Sequence, residues 1–150
     1  MPTEIRFYHL TRTVLDEALA KLLSMTLERG KRALVRVGNE ARLKMLDERL
    51  WTLDPNSFIP HGTAEEPDPE RQPVFLTSGT TAPNGATYLF LVDGAAPSDL
   101  ESFERVMLLF DSADSDLLAE TRTQWKALQA EGQALSYWQE APGGGWQQRA

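Results

Sequence analysis

Apolar positions change their period repeatedly along this chain, and each change marks an element. Ile5 to Leu10 is a short apolar and aromatic run with strand character. Thr13, with Asp16 three residues on, makes a capping-box-like start for a helix whose inward stripe is Leu15, Leu19, Leu22, Leu23 and Thr26, and Gly30 is placed to end it. Ala33 to Val37 predicts a buried strand. Asn39 then caps a second helix with Leu43, Leu46, Leu50 and Leu53 inside. Strand, helix, strand, helix in this order favours a parallel sheet covered by helices, with right-handed crossovers.

Regularity stops at Asp54. From there to Pro73 the chain holds five of its nine prolines, which forbid a continuous helix or a central strand, so residues 54–73 are expected to form a long surface excursion. Val74 to Leu76 and Tyr88 to Val92 predict two buried strands, with a tight turn at Asn84-Gly85 between them. Arg105 to Phe110 predicts another. Asp114 is placed to cap a helix running to about Glu131 and stopped by Gly132. Leu135 to Gln139 predicts a last strand, and residues 141–150 a flexible tail.

The length of 150 residues and the 41% apolar content suit one domain with one core. The absence of cysteine excludes a disulfide scaffold, a thiolate zinc site and a cysteine nucleophile. MPTEIRFYHL has no basic start followed by a long apolar stretch, so the chain is read as cytosolic. A net charge of -7 argues against a protein that chiefly neutralises phosphates. The charge is uneven: residues 1–53 carry 10 basic and 7 acidic groups, residues 54–116 carry 2 and 12, and residues 117–150 carry 3 of each. An acidic middle repels nucleic acid, whereas ends that are basic or neutral can accept an acidic peptide. Protein partners fit this balance better than DNA does.

Chemical constellations are sparse. No glycine fingerprint follows the first strand, where Leu10-Thr11-Arg12-Thr13 stands, and no phosphate-binding G-x-x-x-x-G-K-[ST] occurs. Ser78-Gly79-Thr80-Thr81 resembles a phosphate loop in composition only and reads as a surface turn. Asp111, Asp114 and Asp116 echo a calcium loop, but Leu117 stands where its glycine should follow. His9 and His61 have no partner at a metal-ligand spacing and no nucleophile elbow, so no metal, cofactor or catalytic residue is expected.

Two stretches suggest binding instead. On the last helix Leu117, Thr121, Trp125 and Leu128 form the inward face, with Arg122 and Lys126 one turn apart beside it. An indole next to two cations can form an apolar pocket with a charged rim, suited to an aromatic side chain that carries a carboxylate. The plainer reading, which pattern alone favours, is a core tryptophan beside two solvated cations. Trp51, Phe58 and Ile59 fall in or beside the proline-braced loop, which either folds back on its own domain or leaves an aromatic patch for a partner to cover.

Several motifs in order resemble one family, the chi subunit of the bacterial DNA polymerase III clamp-loader assembly. They are IRFYHL at Ile5 to Leu10, G-K-R-x-L-V at Gly30 to Val35, L-D-x-x-L-W at Leu46 to Trp51, S-F-I-P-H at Ser57 to His61 and PNGA at Pro83 to Ala86. FERV at Phe103 to Val106, R-x-x-W-K at Arg122 to Lys126, YWQ at Tyr137 to Gln139 and the GGW of the tail complete the match. The resemblance implies a three-layer α/β/α Rossmann-like fold, a mostly parallel sheet in a single domain, without nucleotide chemistry. It also implies an adaptor that binds the acidic, phenylalanine-ended C-terminal tail of single-stranded-DNA-binding protein through Arg122, Trp125 and Lys126. A psi subunit or a helicase-like protein would dock on Trp51, Phe58, Pro60 and His61. No direct nucleic-acid contact of importance and no membrane partner are implied. A basic residue expected one turn before Arg122 is Leu118 here, which makes the pocket less basic. The competing expectation is a small Rossmann-like enzyme acting on a nucleotide or a phosphorylated metabolite.

Overall fold

The computed structural model describes the chain except residues 1, 2, 53–59, 66, 67, 80, 81, 96, 112–114 and 144. Strands β1 (Glu4–Leu10), β2 (Ala33–Val37), β3 (Val74–Thr77), β4 (Tyr88–Val92), β5 (Arg105–Asp111), β6 (Ala134–Glu140) and β7 (Trp146–Gln148) form one sheet. Helices α1 (Leu15–Glu28), α2 (Glu40–Thr52) and α3 (Ser115–Ala130) cover it. The sheet order is β3-β2-β4-β5-β1-β6-β7, parallel throughout except for β7, which runs antiparallel to β6. The expected three-layer, mostly parallel α/β architecture is the one observed. Among the described residues no helix is long and apolar enough to cross a membrane.

Strand alternation decides which layer each side chain enters. Tyr8, Leu10, Val35, Phe90 and Leu109 join Leu19, Leu23, Leu46 and Leu50 in the core under α1 and α2. Ile5, Phe7, Leu34, Leu89, Leu108 and Phe110 face the other way, toward Leu128 of α3 and the loop residues Leu100 and Phe103. Two helices roof one face. A single helix and a loop roof the other, and this asymmetry leaves the space described below.

Asn39 caps α2 as expected, accepting a hydrogen bond from the Arg42 N–H at 2.8 Å. The expected Thr13 cap on α1 needs correction. Val14 occupies the N-cap position with no side-chain cap, and the Thr13 hydroxyl hydrogen-bonds Glu140 instead. Glu140, at the end of β6, gathers the loop between β1 and α1: its Oε1 receives the N–H groups of Thr11, Arg12 and Thr13 at 3.0, 3.0 and 2.9 Å. A side chain 127 residues away thus fixes the turn that leads into the helix, without capping the helix itself. Burial works against its charge, yet the bonds from the Thr13 hydroxyl and the three N–H groups outweigh it and hold the carboxyl at about 2, below its ordinary 4.5. A folded-state pKa below the unfolded one stabilises above the unfolded pKa, and the gain is lost as pH falls toward the folded pKa. Glu140→Gln is therefore expected to cost about 1–2 kcal/mol in urea unfolding at pH 7. The difference from wild type should shrink between pH 4.5 and pH 2. A gap that stays constant over that range would show that the charge is not what matters.

Two segments depart from expectation. Where a tail is expected over 141–150, β7 pairs with β6 and brings Trp146 against Tyr8, ring centroids 4.8 Å apart. Within the proline-rich stretch, the Gly62 N–H donates to the Val74 carbonyl and the Leu76 N–H to the Gly62 carbonyl, at 3.0 and 2.9 Å. The chain there lies along the exposed edge of β3, and His61, Gly62 and Thr63 are buried. Leu53, residues 54–59 and the Asp114 cap lie outside the described residues.

Candidate binding cleft and the Trp51–His61 corner

α3 crosses over β1 between β5 and β6, and a cleft of about 330 Å³ opens between helix and sheet. Its floor is Phe7 and His9 from β1, Phe110 from β5 and Tyr137 from β6; its wall is Leu118, Arg122, Trp125 and Lys126 from α3. The floor follows from register, because Phe7 pairs with Tyr137 and His9 with Phe110 across the neighbouring strands. Trp125 is half-buried and meets Phe7 edge-on, centroids 5.1 Å apart, and Tyr137 at 6.1 Å. His9 stacks on Phe110 at 4.8 Å with 12° between planes. Five rings therefore form one continuous basket, in edge and stacked geometries that aromatic groups favour.

Arg122 and Lys126 are exposed at its rim, and among the described residues neither forms an ion pair. Arg122 acts on the floor through its field. Burial lowers the His9 pKa, Asp111 opposes this, and Arg122 adds to it. Burial raises the Tyr137 pKa against the pull of Arg122 and Arg149. Trp125 is thus neither sealed in the core nor fully exposed. It walls an open space with two cations at its mouth.

The second group of expected residues divides. Trp51, on the last turn of α2, is 45% exposed, and its ring lies over the His61 ring with centroids 4.0 Å apart. His61 is buried, its Nε2 3.0 Å from both the Asp47 carbonyl oxygen and Asp47 Oδ1. Pro60 is half-buried beside it. Phe58 lies outside the described residues. Trp51, Pro60 and His61 thus come together at the β3 edge of the sheet, the edge away from the cleft.

Helical spacing does not single out the floor residues as binding groups, because they come from three strands far apart in sequence. The available signal was the period of two in IRFYHL, which sets Phe7 and His9 on one face. Of the phosphate-like turn, Thr80 and Thr81 lie outside the described residues; Ser78 is exposed and hydrogen-bonded to Glu40, and the Gly79 N–H donates to Thr77 Oγ1 at 3.0 Å. The Ser78 hydroxyl and the Gly79 N–H are thus both engaged within the chain. In the loop between β1 and α1, where a nucleotide-binding protein of this architecture would hold phosphate, the N–H groups of Thr11, Arg12 and Thr13 are occupied by the chain's own Glu140.

A family model described as "DNA polymerase III chi subunit, HolC" matches residues 1–136. The "DNA polymerase III subunit chi" of Haemophilus influenzae is 28% identical over 140 residues, covering 91% of this chain and 96% of that protein. The "Probable DNA polymerase III subunit chi" of Rickettsia prowazekii is 24% identical over 118 residues, 72% of this chain and 70% of that protein. A "DNA polymerase III subunit chi" from Pseudomonas aeruginosa is 32% identical over 90 residues, 60% and 62% of the two chains.

Proposed function

Since the chain belongs to the DNA polymerase III chi subunit family, and is thus an accessory subunit of the bacterial replicative polymerase, we propose that its cleft receives the acidic, aromatic-ended C-terminal tail of single-stranded-DNA-binding protein. The observation that carries this reading is the five-ring basket with Arg122 and Lys126 at its mouth and no acidic residue of the chain paired to either among those described. The terminal phenyl ring enters beside Trp125. Arg122 takes the terminal carboxylate in a bidentate pair, and Lys126 attracts the aspartates that precede it. The protein works in the cytoplasm as a non-catalytic tether between the polymerase assembly and coated single strands, and does not itself read DNA.

Burial of one phenyl ring contributes about 1.5–3 kcal/mol, and each charge-assisted hydrogen bond about as much. Such sums correspond to micromolar dissociation constants, which several tails on one oligomer raise by effective concentration. Arg122→Ala should weaken binding of a tail peptide at least several-fold, and removal of the peptide's terminal Phe should do the same. Isotherms unchanged by both would reject the site.

The Trp51–His61 corner serves a second partner, a psi subunit or a helicase-like protein. Trp51 offers an exposed indole held from below by a buried imidazole, the kind of anchored aromatic that dominates interfaces. Trp51→Ala is expected to abolish co-purification of that partner while leaving the tail isotherm intact. Normal partner stoichiometry would remove the assignment. The rival reading, a nucleotide enzyme, is opposed by Glu140, whose carboxylate occupies the N–H groups of the loop between β1 and α1. A thermal-shift screen separates the two, since a nucleotide with real affinity would raise the melting temperature.

A further inference from the structure

The cleft contains one polar side chain that the tail reading has not used. His9 stands near the C-terminal end of β1, on the same face as Phe7, with Nδ1 2.6 Å from the Tyr137 hydroxyl oxygen. Its Nε2 is buried and has no hydrogen-bond partner among the described residues. With the Tyr137 hydroxyl donating to Nδ1, the neutral imidazole carries its proton on Nε2, as a donor without an acceptor. Such a group leaves free energy to be gained by any ligand that brings negative charge to it.

We propose that His9 is a second anion-reading residue of the cleft: resting on the tail-binding reading above, an acidic peptide seated against Arg122 draws a proton onto His9, so binding strengthens as pH falls. The charged and titratable groups around the imidazole are Asp111 at the end of β5, Arg122 and Lys126 on α3, Tyr137 on β6 and Arg149 beyond β7. Burial and Arg122 lower the His9 pKa against the pull of Asp111. A carboxylate paired with Arg122 cancels that cation's field at the imidazole and adds its own negative charge, and both changes favour the imidazolium. The linkage sign follows: the complex binds more protons than the free partners, so affinity rises as pH falls through the His9 titration. Peptide carboxylates, with pKa values near 4, stay ionised above pH 5.5. His61, the chain's other histidine, lies beyond β3, at least four strand spacings or about 19 Å away.

The experiment is a calorimetric titration with an acetylated acidic peptide ending in Phe, at constant ionic strength from pH 5.5 to 8. It is run alongside an NMR titration of the two imidazole C–H signals, with and without saturating peptide. Wild type should bind about five- to tenfold tighter at pH 5.5 than at pH 8. His9→Phe, which keeps a ring against Phe110, should bind with no pH dependence over that range. The His9 midpoint should rise on saturation while that of His61 stays. A flat wild-type profile, a slope that survives in His9→Phe, or a His9 midpoint unmoved by peptide overturns the role of His9 and leaves the tail site standing. Absence of wild-type binding at every pH overturns both. Should His9→Phe fail to fold, the wild-type NMR titration alone decides.

Discussion

Gly38→Ala should destabilise the protein by more than about 3 kcal/mol or prevent its folding, although no positive φ is involved. Gly38 stands between the end of β2 and the Asn39 cap of α2, and a Cβ there would lie 1.8 Å from the Asp93 carbonyl oxygen and 2.9 Å from its carbon. Both atoms belong to the backbone just after β4, the strand hydrogen-bonded to β2 through the Val37–Val92 pair. Relief requires the two strand ends to separate, which breaks pairing in the middle of the sheet. Gly30, Gly85 and Gly132 offer the contrast: each has positive φ but open space for a Cβ, so alanine there costs only backbone strain. Equilibrium unfolding in urea measures the difference. A loss below about 1 kcal/mol for Gly38→Ala would show that the turn yields.

The second large effect is expected one turn further along the chain. Arg42 pairs with Asp16 on the first turn of α1 and, at 2.8 Å, with Asp93 after β4, tying three elements together at the C-terminal edge of the sheet. Asp16 is only 8% exposed, and its remaining cation is Arg49 at 3.4 Å. Arg42→Ala leaves a nearly buried carboxylate with its weaker partner, and should cost about 3 kcal/mol. Arg42→Lys should recover only part of this, because one ammonium cannot span two carboxylates as a planar fork does. Recovery of full stability by lysine would show that position 42 needs only a charge. Gly38→Ala and Arg42→Ala share Asp93, so their costs should not add.

Elements with a strong period were legible in the sequence to within a residue or two. Leu15, Leu19 and Leu23 mark α1, Leu43, Leu46 and Leu50 mark α2, and the largely apolar runs 33–37, 88–92 and 105–110, broken only by Arg36 and Arg105, show no alternation because strands buried on both faces need none. Three residues are too few to show a period, so β7 was not legible. Trp146 declares itself only when Tyr8 is beside it. Thr13 does not cap α1 because its hydroxyl donates to Glu140, a partner near in space and remote in sequence. Half of the cleft was readable for a similar reason. Arg122, Trp125 and Lys126 share one helix, whereas His9, Phe110 and Tyr137 meet only through a strand order that no local pattern encodes.

That strand order also governs when the protein can fold. β1 leaves the ribosome before the other six strands of the sheet, yet its two neighbours are β5 and β6, residues 105–111 and 134–140. Until β5 has emerged, the aromatic segment from Ile5 to Leu10 has no native strand partner, and loop closure over about a hundred residues must precede its pairing. Chains arrested before β5 should therefore engage holding chaperones through their first ten residues, and the sheet's centre should be the last part of the molecule to become protected during synthesis.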